Sequence, residues 1–366
     1  MGRPGPGRAP LAWYGGSWAY SEPIPPPRGE NKKPFEPSDF GPERPPGQGH
    51  GVILGRFLPP HLGHQYLIDF ARALTSQLTL FLRISADDPI PGDVRLAWLR
   101  ELYPETVVPV RDAPPPPTSP FGADYPRAAE WAAIVRRAVP HVDSVFTSDP
   151  LSDPFISALG AEKVMVDTAR RAVPVRGTEI RKDPWQHWDS LPACVRPYYL
   201  RRVCLIGPEG TGKTTLARRL AEKYGTAWVG EQARVLSQPR AWEPAQTQAI
   251  ARSQVAAEDA LARRARRLLF CDTDLLAVRL WSERLFGQAP LWVAQQAAAR
   301  SCDLYLVTSL WSHAKESAPE PRPAFLQRCQ DELTALGRPF VLLQGSADER
   351  FAQACAAVDA LRPGPR

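Results

Sequence analysis

The sequence predicts an α/β protein with two doubly wound parallel-sheet domains and a disordered N-terminal tail. Apolar runs of strand length alternate with amphipathic helical patterns from residue 51 onward, and the alternation starts afresh near residue 200. With 366 residues the chain is long enough for two domains that each bury a core. The predicted divisions are a tail at 1–50, a first domain at 51–184, a connector at 185–199 and a second domain at 200–366.

Residues 1–50 are rich in proline, glycine and charge, as in GRPGPGRAP and EPIPPPRGE. They carry no periodic apolar pattern that could offset the entropy of ordering, so we expect a disordered tail. The 45 Lys and Arg against 39 Asp and Glu give a net charge of +6, which suits phosphate ligands and nucleic acid equally. Six scattered cysteines without a Cys-x-x-Cys pair predict reduced, packed thiols and a cytoplasmic location. No apolar run has the length of a membrane span, and no membrane partner is expected.

The elements of the first domain follow in order from residue 51. GVILG predicts a buried strand, and HQYLIDFARALTSQ predicts a helix that places Tyr66, Leu67, Phe70 and Leu74 on one face. LTLFLRIS predicts a second strand and DVRLAWLRELYPE a second helix. A helix at RAAEWAAIVRRAV, a strand at SVFTS, a helix at DPFISALG and a strand at KVMVD come next. Strands and helices that alternate in this order predict a parallel sheet covered on both faces.

The second domain repeats this alternation without sharing a motif with the first. Strands at RRVCLIG, TAWVG, RLLFCDTD and DLYLVTS are predicted, and the helix TLARRLAEKY follows the first of them. The proline- and aromatic-rich segment DPWQHWDSLPACVRPYYL precedes the domain and places its boundary near residues 184–200.

Two strand-to-helix turns of the first domain carry candidate phosphate ligands. GRFLPPHLGH places His61 and His64 where the helix N–H groups face an anion at the carboxyl edge of the sheet. Imidazoles there can donate hydrogen bonds to a triphosphate, although two surface histidines at a helix start are the alternative. VPVRGTEIR supplies Gly177, Thr178 as a helix N-cap, and Arg181 one turn later. The second turn could hold the phosphates from the opposite side.

GPEGTGKT matches the full P-loop pattern G-x-x-x-x-G-K-[ST], with an apolar strand before it and a helix after it. Backbone N–H groups of such a loop wrap the phosphates, Lys213 reaches the β- and γ-phosphates, and Thr214 binds Mg²⁺. The predicted phosphate cradle consists of Gly207, Pro208, Glu209, Gly210, Thr211, Gly212, Lys213, Thr214 and Thr215.

Acidic residues follow two further strands of the second domain. In RLLFCDTD, Asp272 or Asp274 can complete the metal site while the other binds a substrate hydroxyl. TAWVGEQAR places Glu231 and Arg234 at the same sheet edge, where a carboxylate could accept the proton of a hydroxyl group. Each acid taken singly could instead cap a helix. We assign Asp272 to the metal and Asp274 to the substrate.

The two turns of the first domain resemble the H-x-G-H and I-S-x-T-x-x-R signatures of the nucleotidyltransferases. GRFLPPHLGH, FTSDP, VMVDTAR and VRGTEIRKDP are similar to the adenylyltransferase half of the NadR-like bifunctional family, which joins nicotinamide mononucleotide adenylyltransferase to ribosylnicotinamide kinase. The resemblance covers roughly residues 51–366. It implies a nucleotidyltransferase Rossmann-like domain followed by a P-loop kinase domain. One departure is Arg176, which stands where the family usually has Ser.

The resemblance implies that the phosphate of nicotinamide mononucleotide attacks the α-phosphorus of ATP, giving NAD and pyrophosphate. His61, His64, Thr178 and Arg181 would then hold the triphosphate. The further ATP-contacting residues would be Gly55, Arg56, Phe57, Gly63 and Gly177. Trp131 stands where the family has an aromatic residue near the nicotinamide ring, although a helix tryptophan in the core is the alternative. Arg56 could equally be a solvated loop charge.

For the second domain, which also carries LWSERLFG, the resemblance implies phosphorylation of nicotinamide riboside with ATP as co-substrate and Mg²⁺ as cofactor. Glu231 would be the base, and Arg234 and Asp274 would bind substrate. Which of Trp228, Trp242 and Trp281 stacks on nicotinamide stays open. The family's lid segment carries Pro-Trp, Asp-Gly and Arg. In LWSHAKES only Trp311 is kept and Leu310 replaces Pro, so Lys315 or Arg322 would have to supply the charge.

Three function classes remain from the sequence. The first is a two-step enzyme of NAD synthesis that acts on ATP, nicotinamide mononucleotide and nicotinamide riboside. The second is a nucleotide sensor or repressor, because some family members carry a DNA-binding helix-turn-helix. The proline-rich tail cannot form that motif, so no nucleic-acid partner is expected. The third is an adenylyltransferase whose P-loop domain binds ATP but is regulatory or acts on another acceptor. A homo-oligomer is left open.

Overall fold

The computed structural model describes residues 12–14, 17–19, 48–104, 107–111, 125–149, 151, 153–236, 242–310 and 321–363. The chain divides into two compact units, residues 1–45 and 46–366. In the first unit β1 (Ala12–Tyr14) pairs antiparallel with β2 (Ser17–Ala19), a pairing that the composition of the tail does not predict. The expected disorder of the other residues of the tail up to 47 falls outside the described residues.

The first large sheet has five parallel strands in the order β5-β4-β3-β6-β7. They are β3 (His50–Gly55), β4 (Gln77–Ile84), β5 (Val107–Arg111), β6 (Ser144–Thr147) and β7 (Glu162–Met165). The helices are α1 (Leu62–Leu74), α2 (Gly92–Leu102), α3 (Tyr125–Ala138), α4 (Asp153–Leu159) and α5 (Gly177–Lys182). The strand order reverses between β3 and β6, and a doubly wound sheet binds ligands at the carboxyl ends of the strands beside such a reversal.

The two faces of this sheet are covered by separate apolar clusters. Val52 belongs to the cluster that contains α3 and α4, and its neighbour Ile53 belongs to the cluster that contains α1 and α2. The alternation follows from the two-residue period of a strand. Helix α1 buries Leu67, Ile68 and Ala71. The apolar face expected at Tyr66, Phe70 and Leu74 was wrong, because all three are more than a third exposed.

The second large sheet is also parallel throughout, in the order β12-β11-β8-β10-β9. Its strands are β8 (Arg201–Ile206), β9 (Trp228–Val229), β10 (Leu268–Asp272), β11 (Leu304–Thr308) and β12 (Phe340–Leu343). Its helices are α7 (Lys213–Tyr224), α8 (Gln232–Leu236), α9 (Thr247–Ala262), α10 (Leu275–Phe286), α11 (Leu291–Ala299), α12 (Pro321–Ala335) and α13 (Ala347–Asp359). The central strand β8 leads directly into the P-loop.

The segment between the sheets is packed against both of them. It contains a 3-10 helix (Trp188–Ser190) and α6 (Arg196–Tyr199), and Trp188 is buried. One apolar cluster, here called the shared core, includes Trp98 of the first sheet region, Trp188 of the segment and Tyr305 of the second sheet region. The connector is therefore part of a continuous core.

The predicted α/β class with two parallel sheets is confirmed. Over the part of the chain that the structure describes, none of the helices has the length and apolar character needed to cross a bilayer.

Candidate functional site

The H-x-G-H turn links the carboxyl end of β3 to α1. Gly55 ends the strand, and Phe57 adopts a left-handed backbone conformation with φ of 48°. His61 is the N-cap of α1, and its Nδ1 accepts a hydrogen bond from the backbone N–H of Gly63 at 3.1 Å. A Cβ at Gly63 would lie 2.9 Å from the His61 ring, so glycine permits this close cap. Because Nδ1 is an acceptor, the neutral ring carries its proton on Nε2 and can donate it to a ligand.

The two histidines form one pair whose ring centroids lie 4.0 Å apart. His61 is 3% exposed, and the Nδ1 atom of the half-buried His64 has no hydrogen-bond partner among the described residues. Burial and the charge of Arg170 lower the pKa of His61 to about 4. Burial, His61 and Arg170 also lower the pKa of His64. Both rings are therefore neutral donors at neutral pH, and the surface-histidine alternative is wrong for His61.

The second predicted turn of the first domain lies against the first. The Arg181 Nη1 donates to the carbonyl oxygen of Leu58, and a Cβ at Gly177 would lie 2.5 Å from that same oxygen. The structure therefore brings Arg181 and Gly177 to the H-x-G-H turn, as the signatures imply. Thr178 was wrongly expected to be the N-cap of α5: Arg176 is the N-cap, and Thr178 is the exposed second residue of the helix. The Arg176 backbone N–H donates to the Glu179 carboxylate at 3.0 Å, so this helix start is closed without a Ser side chain.

Three predicted ligands of the first site have other contacts. The Arg56 Nη2 donates to Asp88 Oδ1 at 2.6 Å, and the Arg56 side chain is about half exposed. The Phe57 side chain is 1% exposed, and its ring packs 4.8 Å from the His64 ring. Trp131 is fully buried in the apolar cluster under α3 and α4, so the core alternative is correct and the stacking role is not supported.

The sequence reasoning missed Arg170. The Arg170 backbone adopts a left-handed conformation with φ of 50°, and the Arg170 Nη2 donates to Asp149 Oδ1 at 2.9 Å. After burial, its positive charge is a further cause of the lowered pKa of both His61 and His64. The motif VMVDTAR contains Arg170, but nothing in its spacing indicates the turn that carries the side chain back to the histidines. Asp167 organises that turn by accepting from the backbone N–H groups of Arg171 and Ala172.

The P-loop follows β8 and is closed by glycines with left-handed backbones. Gly207 has φ of 141°, and a Cβ there would lie 2.7 Å from the Thr308 carbonyl oxygen. Gly212 has φ of 86° and is the N-cap of α7. Inside the loop the Lys213 Nζ donates to the carbonyl oxygens of Gly207 at 2.9 Å and Pro208 at 2.7 Å. Thr211 fixes the loop to β11 through its hydroxyl, 2.7 Å from that of Thr308. The lysine is thus held over the cradle.

A pair of oxygen ligands lies beside the lysine. Thr214 Oγ1 donates to Asp272 Oδ2 at 2.5 Å, and Asp272 Oδ1 is buried without a partner among the described residues. Burial, together with the nearby Glu231, raises the pKa of Asp272. Hydroxyl and carboxylate oxygens are the ligands that Mg²⁺ prefers. The orphaned oxygen and the Thr214 hydroxyl therefore fit a magnesium ion, as the sequence predicts.

The P-loop borders a cavity of about 300 Å³. The residues that line it are Glu209, Gly210, Gly212, Lys213, Thr214, Thr215, Glu231, Arg234 and Trp281. The Arg234 Nη2 donates to Glu231 at 3.0 Å, so the predicted base and its neighbour are paired in the cavity wall. The sequence left open which of Trp228, Trp242 and Trp281 stacks on nicotinamide. Of these three, Trp281 lines this cavity.

Asp274 does not reach this cavity. It is the N-cap of α10, where its Oδ1 accepts from the Ala277 backbone N–H at 3.0 Å. Its Oδ2 accepts from the Tyr305 hydroxyl at 2.7 Å, and the residue is 4% exposed. The substrate-binding role expected for Asp274 was wrong, and the helix-cap alternative is correct.

Glu209 of the P-loop binds two arginines from other elements. Arg284 of α10 donates to its Oε2 at 3.2 Å, and Arg322 at the start of α12 donates to its Oε1 at 3.1 Å. The carboxylate therefore holds two guanidinium groups at the mouth of the phosphate cradle. Leu310 is buried at the end of β11, and Trp311 and Lys315 of the expected lid lie outside the described residues.

A family model described as an AAA domain matches residues 202–350. The trifunctional NAD biosynthesis/regulator protein NadR of Escherichia coli (strain K12) is 26% identical over an alignment of 266 positions, which covers 65% of this chain and 63% of that protein. The chain thus spans less than two thirds of the length of this relative. A nicotinamide-nucleotide adenylyltransferase of Methanoculleus marisnigri is 27% identical over 152 residues, 37% of this chain and 83% of that protein.

Among solved structures, a NadR protein in complex with NR matches 85% of this chain and 95% of its own, with a TM-score of 0.65 and 22% identity. A NadR protein in complex with NAD and AMP-PNP matches to the same extent at 21% identity. At this identity the likeness shows a shared fold. The sequence match shows that the chain is homologous to the NadR proteins.

Proposed function

We propose that the chain is an enzyme of NAD synthesis with two ATP-dependent sites. At the first sheet it transfers an adenylyl group from ATP to nicotinamide mononucleotide, and at the second it phosphorylates nicotinamide riboside. The observation that carries the proposal is the presence of two phosphate cradles in one chain, each at the carboxyl edge of its own parallel sheet. The relatives support it: one solved NadR protein binds NR, another binds NAD and AMP-PNP, and a curated relative is an adenylyltransferase.

The adenylyl transfer needs no covalent intermediate. A phosphate oxygen of the mononucleotide attacks the α-phosphorus of ATP, the bond to the α–β bridging oxygen breaks, and pyrophosphate leaves. The Nε2–H of neutral His61 donates to the phosphate oxygens where negative charge grows. Arg181, fixed by the Leu58 carbonyl oxygen, and Arg170 add positive charge from the other side of the turn. These side chains bind and orient the triphosphate for in-line attack.

The phosphoryl transfer follows a similar logic at the second site. The 5′-hydroxyl of the riboside attacks the γ-phosphorus, its proton passes to Glu231, and ADP leaves. Lys213 exchanges its loop carbonyl oxygens for the β- and γ-phosphates. A bound Mg²⁺, held by Thr214 and Asp272, would neutralise phosphate charge.

Arg284 and Arg322 supply the positive charge that the altered lid sequence lacks. Glu209 keeps both guanidinium groups beside the P-loop, within reach of a γ-phosphate that binds there. Arginine at a phosphoryl-transfer transition state stabilises the charge on the equatorial oxygens. This contact favours a working kinase over the alternative in which the P-loop domain is regulatory or acts on another acceptor.

Separate incubations test the two reactions. The full chain is mixed with ATP and Mg²⁺ and with either the riboside or the mononucleotide, and the products are separated by chromatography. We expect ADP and the mononucleotide from the riboside, and pyrophosphate and NAD from the mononucleotide. Formation of NAD without riboside-dependent ADP would contradict the kinase assignment, and the reverse result would contradict the adenylyltransferase assignment.

A further inference from the structure

A cluster of four side chains that can bind a metal lies in the second sheet region, and none of the four is among the residues that line the P-loop cavity. It consists of Cys204, Cys271, Cys302 and Asp274, and is here called the thiol cluster. All three cysteines belong to the shared core, and all four residues are buried. Cys204 of β8 and Cys271 of β10 are direct neighbours in the strand register. Cys302 precedes β11, and Asp274 follows Cys271 by three residues as the N-cap of α10, so three chain segments meet here.

The ligand atoms are already close together. The sulfur atoms of Cys204 and Cys302 and a carboxylate oxygen of Asp274 all lie within 4.8 Å of one another. The Cys302 Sγ lies 3.9 Å from Asp274 Oδ2, and the strand register places Cys271 beside Cys204 in the shared core. A tetrahedral zinc ion with sulfur and oxygen ligands needs ligand atoms roughly 3.5–3.8 Å apart.

The residues around the thiol cluster form hydrogen bonds of the kind that orient the ligands of a structural metal. The Tyr305 hydroxyl donates to Asp274 Oδ2 at 2.7 Å and accepts from the Arg338 Nη1 at 3.1 Å. Such a hydrogen-bonded chain orients a ligating carboxylate. The Arg338 Nη2 donates to the carbonyl oxygen of Ala297, so the contacts of this buried guanidinium are with uncharged groups.

The positive charges near the thiol cluster also favour a bound metal ion. Besides Arg338, the guanidinium groups of Arg202 and Arg300 approach the region, and both contact Asp259. Arg300 also lies 3.9 Å from Glu258. Asp259 and Glu258 already pair with Arg202 and Arg300, whereas Arg338 supplies positive charge beside Asp274 itself. A divalent ion bound by three thiolates and a carboxylate carries a net negative charge, and buried negative charge is stable only when positive charge is close.

We propose that Cys204, Cys271, Cys302 and Asp274 bind one zinc-class divalent ion that fastens β8, β10 and the start of β11 together. On binding, the three S–H bonds break, three metal–sulfur bonds form and the protons leave to solvent, with no change of oxidation state. Thiolate sulfur selects zinc over magnesium. Because the site is closed, the ion enters while the chain folds. The role is structural and independent of both proposed reactions.

The wild-type chain provides the first test. The full chain is produced in zinc-supplemented medium, desalted and analysed for metal content, and it is also produced with cobalt(II) as a spectroscopic substitute for zinc. We expect about one zinc per chain and a sulfur-to-cobalt charge-transfer band in the ultraviolet. Zinc well below stoichiometric, or cobalt bound without that band, would overturn the proposal.

Variants then assign the ligands. Cys302→Ser should lose the charge-transfer band and most of the metal. Cys355→Ser serves as the matched control, because Cys355 is equally buried but lies in the cluster under α7 and α13. A Cys302→Ser chain that keeps the full band, or a Cys355→Ser chain that loses it, would also overturn the assignment. If Cys302→Ser does not fold, the wild-type metal content and spectrum still decide the question.

Discussion

At His61 a single imidazole ring both caps a helix and faces a ligand site. The Gly63 N–H fixes which ring nitrogen accepts, and burial lowers the pKa of the ring to about 4. A neutral ring whose tautomer is set by the backbone can donate without first losing or gaining a proton. The hydrogen bond from the Gly63 N–H therefore sets the tautomer of His61 within its own turn.

The lowered pKa predicts how stability depends on pH. Between pH 6.5 and 4 the unfolded chain binds a proton at His61 and the folded chain does not, so lowering the pH destabilises the fold. From pH 7 to pH 5 the wild type should lose roughly 2 kcal/mol relative to His61→Asn, which keeps an N-cap but does not titrate. Urea unfolding of both proteins at the two pH values measures this difference. A pH-independent difference would contradict a buried neutral His61.

The contact of Arg322 with Glu209 predicts a catalytic defect in the kinase reaction alone. Arg322→Ala should lower kcat for riboside phosphorylation on the order of 10²–10³-fold, since one aimed donor is lost at the transferring phosphate. Arg328→Ala is the control, because Arg328 lies on the same helix and pairs with Glu283 on the surface. Steady-state kinetics with the riboside checks both variants. An unchanged kcat in Arg322→Ala would remove this arginine from the mechanism.

At the scale of elements, the first site depends on two turns that touch. Arg181 and Gly177 of the second turn both meet the Leu58 carbonyl oxygen of the first. The Leu58 carbonyl oxygen thus sets the distance between the two turns at the carboxyl edge of the first sheet. A residue with a side chain at position 177 would push the turns apart.

We therefore expect Gly177→Ala to destabilise the fold by about 1–3 kcal/mol, since its Cβ would overlap a carbonyl oxygen that cannot rotate away. Adenylyl transfer should fall on the order of 10²-fold, because a shift of about 1 Å misplaces Arg181. Gly230→Ala is the control: its Cβ would come no closer than 3.5 Å to the Trp228 ring. Thermal unfolding and NAD formation measure both effects. Equal activity of the two variants would contradict the turn contact.

Four of the five strands in each large sheet were predicted from apolar runs in the sequence, whereas β5 and β12 were not predicted. The side chains whose roles were wrongly predicted are those whose positions depend on tertiary contacts. Thr178 misses the N-cap because the helix starts two residues earlier, and Asp274 turns inward because Tyr305 supplies a buried donor. Arg170 was missed because a left-handed turn redirects it. The thiol cluster was not predicted from the sequence, since Cys204, Cys302 and the Cys271–Asp274 segment are far apart along the chain.

At the scale of the whole molecule, the segment 185–199 joins the two sheets through packing. Trp98 of α2 meets the Tyr198 ring edge-on at 5.3 Å between centroids, and Arg263 of the second domain forms an ion pair with Glu101. Trp188 contributes a fully buried ring to the shared core. A segment packed in this way should resist local opening.

Limited proteolysis with chymotrypsin tests this packing, because residues 185–199 contain two tryptophans and two tyrosines. The native protein should not be cut there first, since local opening would expose a buried core. The heat-denatured chain should be cut there and provides the control. Mass spectrometry identifies the fragments. Early cleavage of the native chain after Trp188 or Tyr199 would show that the segment is a flexible linker.

The central claim is that one chain carries two chemically separate phosphate sites, and paired substitutions measure it most directly. His64→Ala and Lys213→Ala are assayed separately for NAD formation from the mononucleotide and for ADP formation with the riboside, with circular dichroism to confirm folding. Loss of an aimed phosphate donor should cost on the order of 10²–10³ in rate. We expect His64→Ala to lose NAD formation and keep riboside phosphorylation, and Lys213→Ala to do the reverse. A folded variant that loses both activities would contradict the two-site account.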